Sequence, residues 1–126
     1  MWKLRIGVTL AICTAVLWPG EAGTASRGRE LFEKRCTGCH SLDAPRVGPA
    51  LRAVYGRRAA ADPTFPYSDA LKRTRLRWDD DTLNRWLADP DALVPDTDMA
   101  FRLTQAEERA AIIAYLQELA GKREGR

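Results

Sequence analysis

Residues 36–40 read Cys36-Thr37-Gly38-Cys39-His40, and this pentapeptide decides how the rest of the 126-residue chain is organised. Its thiols stand three positions apart, one helical turn, so they share a face. They are too close in sequence to staple a domain, because a bridge between them closes only a tiny loop. A thioredoxin-like pair requires a strand ahead of it within a βαβ pattern, whereas Glu30 to Arg35 reads as helix. A structural zinc site usually takes four Cys or His ligands. After Cys13 the chain offers only Cys36, Cys39 and His40. An idle thiol pair is the third competing reading, and an oxidation hazard in a secreted protein.

C-x-x-C-H is also the pattern of haem attachment, and that is the leading reading. Two thiols on one turn reach two vinyl groups on one edge of a porphyrin. The imidazole that follows then lies beneath the ring, within reach of the iron. Covalent bonding fixes a cofactor that a domain this small cannot enclose by burial alone. Haem iron in electron carriers commonly takes His on one side and Met on the other. The chain contains one His and two Met, and Met1 belongs to the leader described below, which leaves Met99 as the sixth ligand. Met99 ends a polar run, Val94-Pro95-Asp96-Thr97-Asp98-Met99, that has little packing use for a thioether. Lys72 or an open iron position is the alternative.

Working outward, three helical patterns appear and no strand pattern. The first runs from Arg27 to about Cys36, with Leu31, Phe32 and Arg35 in phase and Ser26 as N-cap. Gly28 inside it costs about 1 kcal/mol relative to Ala and so marks close packing against something. The second begins near Asp79, where Asp79, Asp80 and Asp81 put acid at the positive end of the helix dipole. Leu83, Trp86 and Leu87 form its apolar side, and Pro90 stops it. Asp89-Pro90 then starts a short further turn. The third has Thr104 and Glu107 as a capping box, an apolar stripe of Ile112, Ile113, Tyr115, Leu116 and Leu119, and Gly121 as its end. Between the first two helices, Ser41 to Arg77 is rich in Pro, Gly and Arg, and a compact domain holds such a stretch only if something inside organises it. The expectation is an all-α fold over residues 26–120, three main helices with long loops packed around one covalently bound haem, followed by a flexible tail over 121–126.

Lys3 and Arg5, a 13-residue apolar run from Ile6 to Trp18, Pro19-Gly20 and small residues around Ala22 and Ala25 have the order of a secretory signal. The run falls short of the ~20 residues that span a bilayer. Residues 1–22 are therefore expected to leave by cleavage after Ala22 or Ala25, taking Cys13 with them. Ile12 is a poor lipobox residue. The mature form then has no integral membrane span and works in the periplasm; tethering by an uncleaved N-terminus is the alternative. Charge divides along the chain. Arg27 to Arg77 carries twelve basic and five acidic residues, and Trp78 to Glu108 two basic and nine acidic. Such a dipole steers charged partners. The basic residues form no stripe interleaved with aromatics, which argues against nucleic acid.

With these residues in place, the chain resembles class I cytochrome c of the mitochondrial and cytochrome c2 type, from Gly28 to about Leu119. Gly28 and Phe32 match that family's N-terminal helix, where the glycine lets the C-terminal helix cross closely near Tyr115. Gly48-Pro49-Ala50-Leu51 resembles the segment after the haem motif, which implies that the Pro49 carbonyl accepts a hydrogen bond from the second nitrogen of His40. Gly56-Arg57 and Phe65-Pro66-Tyr67-Ser68-Asp69-Ala70 resemble the loops around the haem propionates. The match implies Arg57, Tyr67, Trp78 and Thr97 as donors there, and Phe101 as the aromatic covering the haem edge on the Met side.

The departures matter as much. Trp86 stands where the family usually has a Tyr beside the Met ligand, and Leu71 where it usually has a buried Asn, which implies a shifted reduction potential. The loop between His40 and Gly48 is shorter. Asp91, Ala92 and Asp98 replace lysines that ring the haem edge, while Arg35 keeps a positive charge on the Cys side. The resemblance implies a soluble one-electron carrier, a monomer and not an enzyme, that meets a redox donor and an acceptor whose docking face carries basic groups. Two alternatives stay open: a haem c subunit of a periplasmic oxidoreductase complex, and a haem peroxidase with a labile Met ligand.

Overall fold

The computed structural model describes residues 21–124. The expected signal and Cys13, within residues 1–20, and residues 125–126 lie outside the described residues. Five helices follow one another: α1 (Glu21–Arg35), α2 (Asp69–Arg73), α3 (Asp80–Ala88), α4 (Pro90–Leu93) and α5 (Ala106–Glu124). Among the described residues the strand pairing amounts to one isolated antiparallel bridge, Arg58 with Arg77. This is the all-α architecture that the helical patterns predict.

Local chemistry starts the middle helices. The Ser68 side chain accepts the Leu71 N–H at the head of α2. At α3 the Asp79 carboxylate accepts the Thr82 N–H while the Thr82 hydroxyl accepts the Asp79 N–H, both at 2.9 Å, a reciprocal capping box. Asp89 leaves helical geometry before Pro90, and its carboxylate caps α4 by accepting the Ala92 N–H at 3.2 Å.

The frame on which the site is hung is the crossing of α1 over α5. Gly28 makes it possible: a Cβ there would collide with the Ala111 carbonyl and lie 2.9 Å from Tyr115 Cβ. Phe32 then meets the Tyr115 ring edge-on, centroids 5.6 Å apart. Arg35 reaches Glu108 at 3.3 Å across the same contact. On its other side α5 receives α3, so that Leu83, Trp86 and Leu87 join Ile112, Ile113, Leu116 and Leu119 in one buried cluster. The Arg109 guanidinium donates to Asn84 Oδ1 and to the carbonyls of Leu103 and Thr104, each at 2.8 Å, tying α3, the connecting segment and α5 together.

Four local expectations are corrected. Helix α1 begins at Glu21, so Ser26 lies inside it and caps nothing. The reason is packing: Ala25, Gly28 and Phe32, at helical spacing, carry the buried side one turn further back. Thr104 and Glu107 form no capping box, because α5 starts at Ala106 and the Thr104 hydroxyl donates to Gln105 Oε1 at 2.9 Å. Gly121 does not stop α5; the helix continues to Glu124, with Lys122 paired to Glu118 one turn back, so residues 121–124 are helix rather than tail. The Ser41 to Arg77 stretch also holds α2.

Candidate haem site

A cavity of about 370 Å³ opens between the end of α1, helices α3 and α5 and the loops that join them. That is within the size range of small-molecule sites. Its walls are largely apolar, with Phe32, Leu71, Leu83, Leu87, Ile112 and Leu116 among them.

One rim is the pentapeptide. Helix α1 runs into a tight turn in which the N–H groups of Cys39 and His40 both donate to the Cys36 carbonyl, at 3.1 and 2.9 Å. The Thr37 hydroxyl donates back to the Glu33 carbonyl at 2.7 Å, and the Arg46 guanidinium donates to the Thr37 carbonyl at 2.6 Å. Cys36, Cys39 and His40 all line the cavity, as the spacing predicts. Burial pushes the Cys36 thiol up to about 11. The pair follows helix α1 and not a strand, which disfavours the thioredoxin-like reading. Among the described residues no three His, Cys, Asp or Glu side chains come together in a geometry that could hold a metal ion.

His40 is fixed from two sides. Its Nδ1 lies 2.8 Å from the Pro49 carbonyl, so Nδ1 carries the hydrogen and Nε2 keeps its lone pair. Burial holds the imidazole below its ordinary value, against the opposing pull of the Pro49 bond, and so favours the neutral, ligating form. Gly48 lies flat against the ring: a Cβ there would sit 2.8 Å from Nε2 and 2.6 Å from Nδ1. Its own N–H donates to the Cys39 carbonyl at 2.9 Å.

Met99 reaches the cavity from the opposite rim. After α4 the chain turns at Asp96, whose φ of 64° is left-handed and whose N–H donates to the Asp91 carboxylate at 3.0 Å. The turn delivers Met99 to the cavity, where the Trp86 indole N–H donates to its Sδ at 3.1 Å. Trp86 is braced by Trp78, ring centroids 5.1 Å apart at 61°. Lys72, the alternative ligand, is exposed, pairs with Asp69 at 3.4 Å and does not line the cavity.

Arg57, Tyr67, Trp78, Thr97 and Phe101, taken from the resemblance, all line the cavity. Arg57 Nε and the Tyr67 hydroxyl are buried without a hydrogen-bond partner. Each such group costs about 1–3 kcal/mol if left unmade. Burial also pushes the Tyr67 phenol above its ordinary value, keeping it a donor. An imidazole nitrogen, a thioether, two thiols and two orphaned donors around an apolar hollow fit a haem whose carboxylates satisfy those donors. Three residues named in the sequence take on structural roles that it did not assign: Gly48 packs against the His40 ring, and Asp91 and Asp96 close the turn before Met99.

Comparison with known proteins agrees with the geometry. The Cytochrome c family model matches residues 25–120. Cytochrome c of Euglena viridis is 43% identical over 100 residues, covering 77% of this chain and 98% of that protein. Cytochrome c2 of Rhodomicrobium vannielii is 39% identical over 109 residues, covering 81% and 86%. The structure of cytochrome cH from Methylobacterium extorquens superposes with a TM-score of 0.71 at 38% identity, covering 75% of this chain and 97% of that one.

Proposed function

This chain belongs to the cytochrome c family, whose members are haem electron carriers with covalently bound haem c, and we propose that it passes single electrons between extracytoplasmic redox partners with Cys36 and Cys39 as the attachment thiols and His40 and Met99 as axial ligands. The observation that carries this reading is that the imidazole and the thioether of the described chain line one apolar cavity together with both thiols. The haem, when bound, supplies a one-electron iron couple. The residues do the rest. The Pro49 carbonyl and Gly48 hold the His40 ring in one orientation and tautomer. The Asp91–Asp96 turn sets the height of Met99, and a thioether ligand raises the potential. Phe32, Leu71 and Ile112 line the cavity with apolar surface that excludes water, and Arg57 and Tyr67 would donate to the haem carboxylates. With His40 and Met99 as axial ligands no iron position would be left for a substrate, and that is what separates this reading from a haem peroxidase with a labile Met ligand.

The rim supports a particular kind of partner. Val47, 75% exposed, and Phe101, 39% exposed, give the cavity mouth an apolar lip. Asp91, Asp96 and Asp98, all exposed, flank it on the Met99 side, and Arg35 and Arg46 on the cysteine side. We infer a partner with basic groups that pair with the carboxylates, met by a monomer in the periplasm after removal of the signal. Absorption spectroscopy of the haem-loaded protein tests the ligation. Six-coordinate low-spin iron with the weak far-red thioether band, lost in Met99→Ala, is the expected result. A high-spin spectrum, or a band that survives Met99→Ala, refutes it. Electron-transfer rates that stay flat as ionic strength rises would refute the charged docking face.

A further inference from the structure

Leu76 is packed against the core, so its neighbours Arg75 and Arg77 face the other way, toward solvent. Arg77 forms the isolated antiparallel bridge with Arg58. The bonds that hold the bridge lie beside this pair rather than within it. The Trp78 N–H donates to the Arg57 carbonyl and the Ala59 N–H to the Leu76 carbonyl, both at 2.9 Å. That is the closer kind of opposed pair, with Cα atoms about 4.5 Å apart. Arg57 lines the cavity and Ala59 packs on the core, which turns Arg58 outward between them. Two cations thus start from directly opposite positions, an arrangement that destabilises a ladder. Lys72 and Arg73, at the end of α2, extend the same basic stretch. All five are exposed, and none lines the cavity. Among the described residues Lys72 is paired with Asp69, Arg77 donates to the Gly56 carbonyl, and Arg58, Arg73 and Arg75 have no ion pair.

We propose that Arg58, Arg75 and Arg77, extended by Arg73 and Lys72, form a second docking surface, away from the cavity mouth, for an extended acidic segment of a partner protein. A local rule broken without compensation inside the chain marks a functional position, and here carboxylates from outside supply what the opposed arginines lack. Arg75 and Arg77 lie two residues apart, about 6.6 Å along an extended chain, which is also the spacing of alternate carboxylates on an acidic one. The planar guanidinium fork suits a carboxylate. A lipid surface fits less well. Exposed Asp79 stands two residues from Arg77, at most about 7 Å away, with Asp80 and Asp81 exposed beside it. A uniformly anionic plane laid on the arginines meets these carboxylates too, whereas a narrow segment avoids them. The exposed large apolar residues of the described chain, Val47 and Phe101, both belong to the cavity mouth, so the patch has nothing to insert into lipid. Docking here leaves that mouth open, and one partner can hold the protein while another meets it there.

The probe is a fluorescent peptide of about ten glutamates, long enough at about 3.3 Å per residue to cross the patch. Its binding to the haem-loaded protein is followed by anisotropy at low ionic strength. Arg58→Gln and Arg75→Gln should each weaken binding by roughly 1.5- to 5-fold, and the double variant by more. Lys34→Gln, which removes an exposed cation from α1, should weaken it less than either. Added salt should weaken it in the unsubstituted protein. Arg58→Gln should not lower the melting temperature of the free protein, since it removes the opposed charge. The proposal is overturned by absent or salt-insensitive binding, by a double variant that binds as the parent does, by Lys34→Gln matching either arginine variant, or by a lower melting temperature in Arg58→Gln. Adsorption to vesicles of phosphatidylglycerol and phosphatidylcholine that the double variant loses, with no peptide binding, assigns the patch to a membrane and also overturns it. None of these readouts depends on which groups ligate the iron.

Discussion

Replacing Gly28 by Ala should lower the melting temperature of the haem-loaded protein by on the order of 10 °C. In an open helix interior the same change is favourable by about 1 kcal/mol. Gly28 is not open. Its added Cβ would strike the Ala111 carbonyl oxygen and stand 2.7 Å from the carbonyl carbon and 2.9 Å from Tyr115 Cβ. Ordinary carbon contacts are about 3.5–4.0 Å, so the shortfall is close to an ångström. The atoms met are mostly backbone, which has no rotamer to adopt, and the whole of α5 must move. Arg109 resists through its three hydrogen bonds, and so does the Phe32–Tyr115 contact. Overpacking of this kind costs about 1–3 kcal/mol, and an immovable neighbour puts it at the upper end. Less the propensity gain, about 2 kcal/mol remains, at roughly 4–8 °C per kcal/mol for a domain of this size. Gly121→Ala, in α5 with nothing within 4 Å of its Cβ, is the control and should be neutral or stabilising. Thermal unfolding followed by far-ultraviolet circular dichroism decides it. If Gly28→Ala melts at or above the parent temperature while Gly121→Ala behaves as stated, the close crossing of α1 and α5 is not what holds this fold.

Two further outcomes follow from the site and the caps. Gly48→Ala places a methyl against the His40 ring, which the Pro49 carbonyl prevents from swinging aside; loss of low-spin absorption and a lower yield of haem-loaded protein are expected, and an unaltered spectrum would contradict the packing. Hydrogen bonds from the Thr82 N–H and hydroxyl hold the Asp79 carboxyl below its ordinary range, and Arg102 followed by the Ala92 N–H does the same for Asp89. Folded-state values below the unfolded ones make this stabilisation complete above about pH 4 and lost as pH falls through the folded values. Denaturant midpoints should therefore drop below about pH 4, less steeply in Asp89→Asn, and an identical acid slope in that variant would rule the cap out as a contributor.

How far the site could be read in advance varies residue by residue. Trp86 is visible in the sequence on the apolar side of its helix and as a departure from the resembled family, yet the aim of its N–H at Met99 Sδ depends on where the Asp96 turn drops that sulfur. Gly48 reads as an ordinary loop glycine until His40 is seen stacked against it. The start of α1 and the end of α5 depart from the local signals for the same reason. Ser26 and Gly121 are sound local signals, but packing of Ala25 and pairing of Lys122 with Glu118 outweigh them.

What the amino-acid order settles alone is whatever acts within a turn or two: the Cys36, Cys39 and His40 cluster, the Asp79 and Asp89 caps, the stop at Pro90, and the singling out of Met99 because the composition offers no other thioether beyond Met1. Only the tertiary structure decides which distant atoms touch. The Ala111 carbonyl over Gly28, the Pro49 carbonyl on Nδ1, the orphaned donors of Arg57 and Tyr67 and the indole on the Met99 sulfur belong to that class. Short-range geometry follows from covalent spacing, whereas a contact between segments far apart in the chain exists only once the core has chosen how its helices cross.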